Sequence, residues 1–132
     1  MTEVQNIQNI HVQKKYRVYG EVWSLGSCGG AWSLDLKHMC EYIKREFNGK
    51  CERVCFEEPL FVGPDCVRTG RVKVKIDAIV PEDKLSELID TIAWGLGHWW
   101  SYPSEIFIDK KNKRIVLRWK LIERILNFEE VQ

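Results

Sequence analysis

No apolar run in this 132-residue sequence approaches the roughly 18 residues that a bilayer-spanning helix needs, so a membrane-embedded chain is not expected. The first residues lack the charged-then-apolar layout of a secretory signal, and the expected setting is the cytoplasm. An excess of either charge is lacking too: 20 Lys and Arg stand against 19 Asp and Glu, a net of +1. Nucleic-acid affinity would therefore require cations gathered on one face. There is no internal repeat at a solenoid period and no low-complexity stretch, which excludes repeat architectures and long disordered linkers. One domain over residues 14–132 is expected, after an amide-rich leader at 1–13.

Cysteine is abundant by contrast: Cys28, Cys40, Cys51, Cys55 and Cys66. Five is an odd count, and without a secretory signal it argues against an extracellular disulfide framework. Intracellular bridges are a habit of hyperthermophiles. The scarcity of Asn and Gln after residue 13 leans toward a thermophile.

Strand and helix periods alternate along the chain. "KKYRVYGEVWSLG" reads as a strand. From Ala31 to Phe47, apolar residues at Trp32, Leu36, Met39, Cys40, Ile43 and Phe47 mark one helical stripe, stopped by Asn48-Gly49. "CERVCFEE" is a second strand, and "PLFVGPDCVRTG" reads as an irregular connection. "RVKVKIDAIV" alternates strictly, and Pro81 is expected to open the helix that follows, which ends near Gly95 and Gly97. "SEIFIDKKNKRIVLRWKL" is a hairpin, and "LIERILNFEE" reads as a short helix. The order β-α-β-β-α-β-β plus a short C-terminal helix gives an α+β two-layer ferredoxin-like sandwich. Its two main helices should cover one face of an antiparallel sheet.

Residues 17–26, "RVYGEVWSLG", and 70–92, "GRVKVKIDAIVPEDKLSELIDTI", resemble the first strand with its glycine-rich loop and the later strand-helix unit of acylphosphatases. The resemblance spans about a third of the chain. It implies the same sandwich with an anion cradle at Gly26, Ser27, Cys28, Gly29 and Gly30. The family's catalysis uses an arginine at the end of that loop and an asparagine on a neighbouring strand. Here the loop ends Cys28-Gly29-Gly30-Ala31-Trp32 and "ERVCFEEPLF" holds no asparagine, so the architecture is expected without the catalysis. From the residues alone, the loop is a tight turn, an anion site on the amides of a helix start, or the seat of a reactive Cys28. No basic residue lies between Glu21 and Lys37 to hold a phosphate.

Strand alternation assembles a second candidate. Arg71, Lys73 and Lys75 share one side of their strand. Arg17, Tyr19 and Trp23 share one side of theirs, and Arg114, Arg118 and Lys120 share one side of the last hairpin strand. With Lys111 and Lys113 at the hairpin tip, these form a basic face with aromatic platforms, the pattern that binds single-stranded nucleic acid. A solvated face or a sheet-mediated protein interface produces the same residues.

"WGLGHWWSYP" supplies a third candidate, Trp94, Trp100 and Tyr102, for a partner or homodimer contact. The cysteines near His38 lack a zinc-site spacing, so no metal and no cofactor is expected. No carboxylate pair is demanded by a nameable reaction. The expected function is a non-catalytic binding module, most simply for nucleic acid. An anion-handling acylphosphatase-like enzyme and a protein-interaction module remain open, as does an origin among viral or mobile-element accessory proteins.

Overall fold

A computed structural model describes residues 13–25, 30–62, 65–97 and 102–131, with side chains over 13–25, 36–54, 72–97 and 102–131. The chain is α+β. Its elements are β1 (Lys15–Trp23), α1 (Gly30–Phe47), β2 (Lys50–Val62), β3 (Asp65–Pro81), α2 (Glu82–Gly97), β4 (Glu105–Asp109), β5 (Arg114–Trp119) and β6 (Ile122–Val131). Six strands form one antiparallel sheet in the order β2-β3-β1-β6-β5-β4.

Alternation decides what the sheet buries. Tyr16, Val18 and Val22 of β1 and Val72, Val74, Ile76, Ala78 and Val80 of β3 point into the core, as do Leu126 and Phe128 of β6. The helical stripes meet them there: Leu36, Met39, Cys40 and Ile43 from α1, and Leu88, Ile89, Ile92, Ala93 and Leu96 from α2. The two helices touch closely at Gly95, where an added Cβ would overlap the Met39 side chain. A hydrogen bond from Tyr42 Oη to Glu87 Oε1 (2.7 Å) spans their outer edge. Asn48 takes a left-handed conformation, φ 49°, to end α1. Glu82 and Asp83 sit at the positive end of α2.

Cys40 and Cys51 form a disulfide with Cα atoms 5.0 Å apart, joining α1 to β2 across 11 residues. Neither thiol is then a metal ligand. Among the described residues no group of three His, Cys, Asp or Glu stands close enough to hold a metal ion. Among them, too, no helix is long and apolar enough to cross a membrane.

Three elements differ from their sequence reading. Residues 59–62 and 65–70 are not irregular: β2 and β3 stay in register from Lys50↔Asp77 to Val62↔Asp65, and residues 63–64 lie outside the described residues. Pro59 is tolerated because β2 is an edge strand, with one side of its backbone unpaired. Pro81 closes β3 opposite Lys15, and the helix starts one residue later, with Glu82 N donating to Lys14 O (2.9 Å). The C-terminal segment is not a helix but β6, paired with both β1 and β5. It carries apolar residues on both faces, Ile125 on one and Leu126 and Phe128 on the other, and that pattern imitates helical spacing.

Candidate binding surface

The second alternation of the strands forms the polar face of the sheet, and register lays it out in rows. One row crosses all six strands: Lys50, Asp77, Tyr19, Asn127, Arg114, Asp109. Toward one end lies a shorter row of Ile79, Arg17 and Glu129. Toward the other lie Glu52, Lys75 and Glu21 on β2, β3 and β1, and Val116 and Phe107 beside Ile125 on β5, β4 and β6. Beyond these come Val54, Lys73 and Trp23, and Glu123, Arg118 and Glu105. Signs alternate along the rows, so neighbouring strands hold opposite charges, the stabilising cross-strand arrangement.

The pairs are physical contacts. Arg17 donates from Nε to Asp77 Oδ1 (2.9 Å) and from Nη2 to Oδ2 (2.7 Å), and its Nη1 reaches Glu129 Oε1 at 3.5 Å. This staples β3, β1 and β6 together. The hydrogen bonds to Asp77 hold the Arg17 guanidinium well above its ordinary range, and the same bonds hold the Asp77 carboxyl below the usual carboxylate range. Arg118 donates to Glu105 (2.9 Å) and Glu123 (3.0 Å) on its two flanks. Lys73 Nζ stands 3.1 Å from Glu21, and Arg114 Nε 3.4 Å from Asp109. The rings are engaged as well: the Arg17 guanidinium lies 3.9 Å over Tyr19, and Lys73 Nζ 5.4 Å from the Trp23 ring centre.

The structure thus brings Arg17, Tyr19, Trp23, Lys73, Lys75, Arg114 and Arg118 onto one face, as the alternation implied. It also brings their counter-ions. The described side chains of this face include seven cations (Lys15, Arg17, Lys50, Lys73, Lys75, Arg114, Arg118) and seven carboxylates (Glu21, Glu52, Asp77, Glu105, Asp109, Glu123, Glu129). The face is neutral rather than basic. The Arg71 side chain and the loop residues Gly26, Ser27, Cys28 and Gly29 lie outside the described residues, and Gly30 begins α1.

Unpaired cations gather at one end of the sheet instead. Lys14, Lys110 and Lys113 line a depression of about 440 Å³ with Tyr16, Phe128, Glu129 and Glu130. Lys15 and Lys111 adjoin it in sequence, and all five lysines are exposed. The turn that carries three of them is a built structure. Asp109 accepts from Asn112 N (3.0 Å) and Nδ2 (2.7 Å), which holds its carboxyl below the ordinary range, and Lys113 takes φ 54°. Phe128 N donates to Lys113 O (3.0 Å), tying the turn to β6. Lys120 lies at the other end of β5, in the β5–β6 turn, away from this group. Lys14 was not singled out by sequence, since only the pairing of β1 with β6 brings it beside the hairpin turn.

The tryptophan-rich segment is partly assembled. Trp94 and Tyr102 pack at 4.8 Å between ring centres, both exposed, and Tyr102 Oη donates to Asp90 Oδ1 (2.7 Å), which raises the phenol. Trp100 lies outside the described residues. Compared with known proteins, the chain matches no family model, no curated protein and no solved structure.

Proposed function

We propose that the chain is a non-catalytic binding module that holds single-stranded nucleic acid at its lysine-rich end. In this reading the β1-α1-β2-β3-α2 portion is ferredoxin-like, with both helices stacked on the apolar side of the sheet. β6 takes the place beside β1 that completes the four-strand core. The observation that carries the function is the grouping of Lys14, Lys110 and Lys113, none in an ion pair among the described residues, around one depression, with the exposed Lys15 and Lys111 next to them in sequence. Phosphate binding draws on cations whose charge is not already neutralised, and Arg17, Lys73, Arg114 and Arg118 of the polar face are held by carboxylates. A cytoplasmic, thermophilic setting suits this ligand and accommodates the Cys40–Cys51 bridge.

The test is binding of a labelled single-stranded oligonucleotide as salt is raised. Affinity should fall linearly on a log-log plot. Lys110→Ala, Lys111→Ala and Lys113→Ala together should reduce the slope by about 2, given roughly 0.7 per phosphate contact on single strands. Arg17→Ala and Lys73→Ala should leave the slope unchanged. Absence of binding at low salt, or a slope that follows Arg17 and Lys73 instead, overturns the proposal.

A further inference from the structure

The β6-β5-β4 part of the polar face has a feature that nucleic-acid binding does not use. An apolar row, Ile125, Val116 and Phe107, runs across the strands between two charged or polar rows. On one side stand Glu123, Arg118 and Glu105, and on the other Asn127, Arg114 and Asp109. Phe107 and Ile125 are 52% and 42% exposed, although each lies in the middle of its strand. Several of these side chains line a shallow hollow of about 280 Å³, floored by Val116. An apolar centre with a polar rim is the anatomy of a protein interface.

We propose that this patch binds a second copy of the chain, forming a homodimer by sheet-on-sheet stacking. Charge selects both the occupant and the symmetry. A two-fold axis lying across the strands would set Arg118 against Arg114 and Glu105 against Asp109, like against like. An axis along β5 would set Arg118 against its own copy. An axis along the strand direction between β5 and β6 removes both conflicts. It sets Arg118 against Glu123 of the second copy, Val116 against Ile125, Arg114 against Asn127, and each contact occurs twice. Stacked sheets cross at about 30°, so this match is closest near the axis, which Val116 and Ile125 flank. An axis between β4 and β5 is equally free of conflict, setting Arg118 against Glu105, Val116 against Phe107 and Arg114 against Asp109, so the patch is complementary to itself about either strand-parallel axis.

The proposal is independent of the nucleic-acid reading, because neither Ile125 nor Arg118 belongs to the lysine-rich end. The experiment is the mass in solution by sedimentation equilibrium. Wild type should give twice 15.6 kDa. Ile125→Glu should give the monomer mass with an unchanged far-UV circular dichroism spectrum. Arg118→Glu alone should also weaken association at least tenfold, and adding Glu105→Arg and Glu123→Arg in the same chain should restore it, since the internal pairs and the intermolecular pair are all rebuilt with signs exchanged. That rescue separates an interface from a folding defect, should Ile125→Glu not fold. A monomeric wild type at the highest soluble concentration, or a dimer that survives Ile125→Glu and Arg118→Glu, overturns the proposal. Oligonucleotide binding by a wild type that stays monomeric would leave the ligand reading standing while this one falls.

Discussion

At the residue scale, two positions show how narrowly the fold is fitted. Gly95 lies where α2 presses on α1, and an added Cβ would come within 2.8 Å of Met39 Cβ, an atom that no rotamer change can move away. Gly95→Ala gains about 1 kcal/mol in helix propensity but overpacks the contact by roughly 1–3 kcal/mol. Urea unfolding should show a net loss, and Met39→Ala in the same chain should cost less than it does alone. Additive losses would mean that the helices do not meet as described. Asp77 tests the polar face. Its carboxyl is held below the usual range chiefly by the hydrogen bonds from Arg17, with Lys50 and Lys75 adding to the effect. A depressed value contributes stability above the unfolded-state value, about pH 4, and that contribution disappears as the pH falls through the folded value. The melting temperature of wild type should fall more steeply below about pH 4 than that of Asp77→Asn. Parallel curves would show that Asp77 carries none of the acid sensitivity.

At the element scale, what the sequence shows depends on how local the deciding forces are. α1, α2, β1, the 71–80 half of β3 and the β4–β5 hairpin are legible, because each carries its own period and its own stop signals. β6 is not. Leu126 and Phe128 serve the core while Ile125 serves the opposite face, and only the vacant edge of β1, more than 100 residues away, makes a strand of them. The extension of β2 through 59–62 and of β3 through 65–70 is hidden for a related reason: the segment's prolines and glycines read as a loop, while Pro59 and Gly70 are held in the pairing. The Cys40–Cys51 bridge fixes α1 to β2 across 11 residues, and closing a loop of that size contributes about 3 kcal/mol. Cys40→Ala with Cys51→Ala should therefore lower stability by roughly that amount. A reductant should lower wild type to the same level and leave the double variant unmoved. Equal stability of wild type and variant under oxidising conditions would show that the bridge carries no load.

At the scale of the whole molecule, half of the candidate site was readable in advance. Alternation gathers Arg17, Lys73 and Arg118 on one side of their strands, which needs only local sequence. Their neutralisation needs the strand order, since Asp77 and Glu129 lie 60 and 112 residues from Arg17. The same strand order moves the unpaired charge to the end where β1 begins and the β4–β5 turn projects. If the chains pair about an axis along their strands, the two lysine-rich ends lie at the same end of the dimer. Linked sites act through effective concentration and raise avidity by about 10²–10⁴ when one ligand spans both. An oligonucleotide long enough to touch both ends should then bind wild type far more tightly than one that reaches a single end. Ile125→Glu should erase that advantage, leaving the short oligonucleotide's affinity and salt slope untouched. A length advantage that persists in the monomeric variant would mean that a single lysine-rich end, extended along one chain, already accounts for the binding.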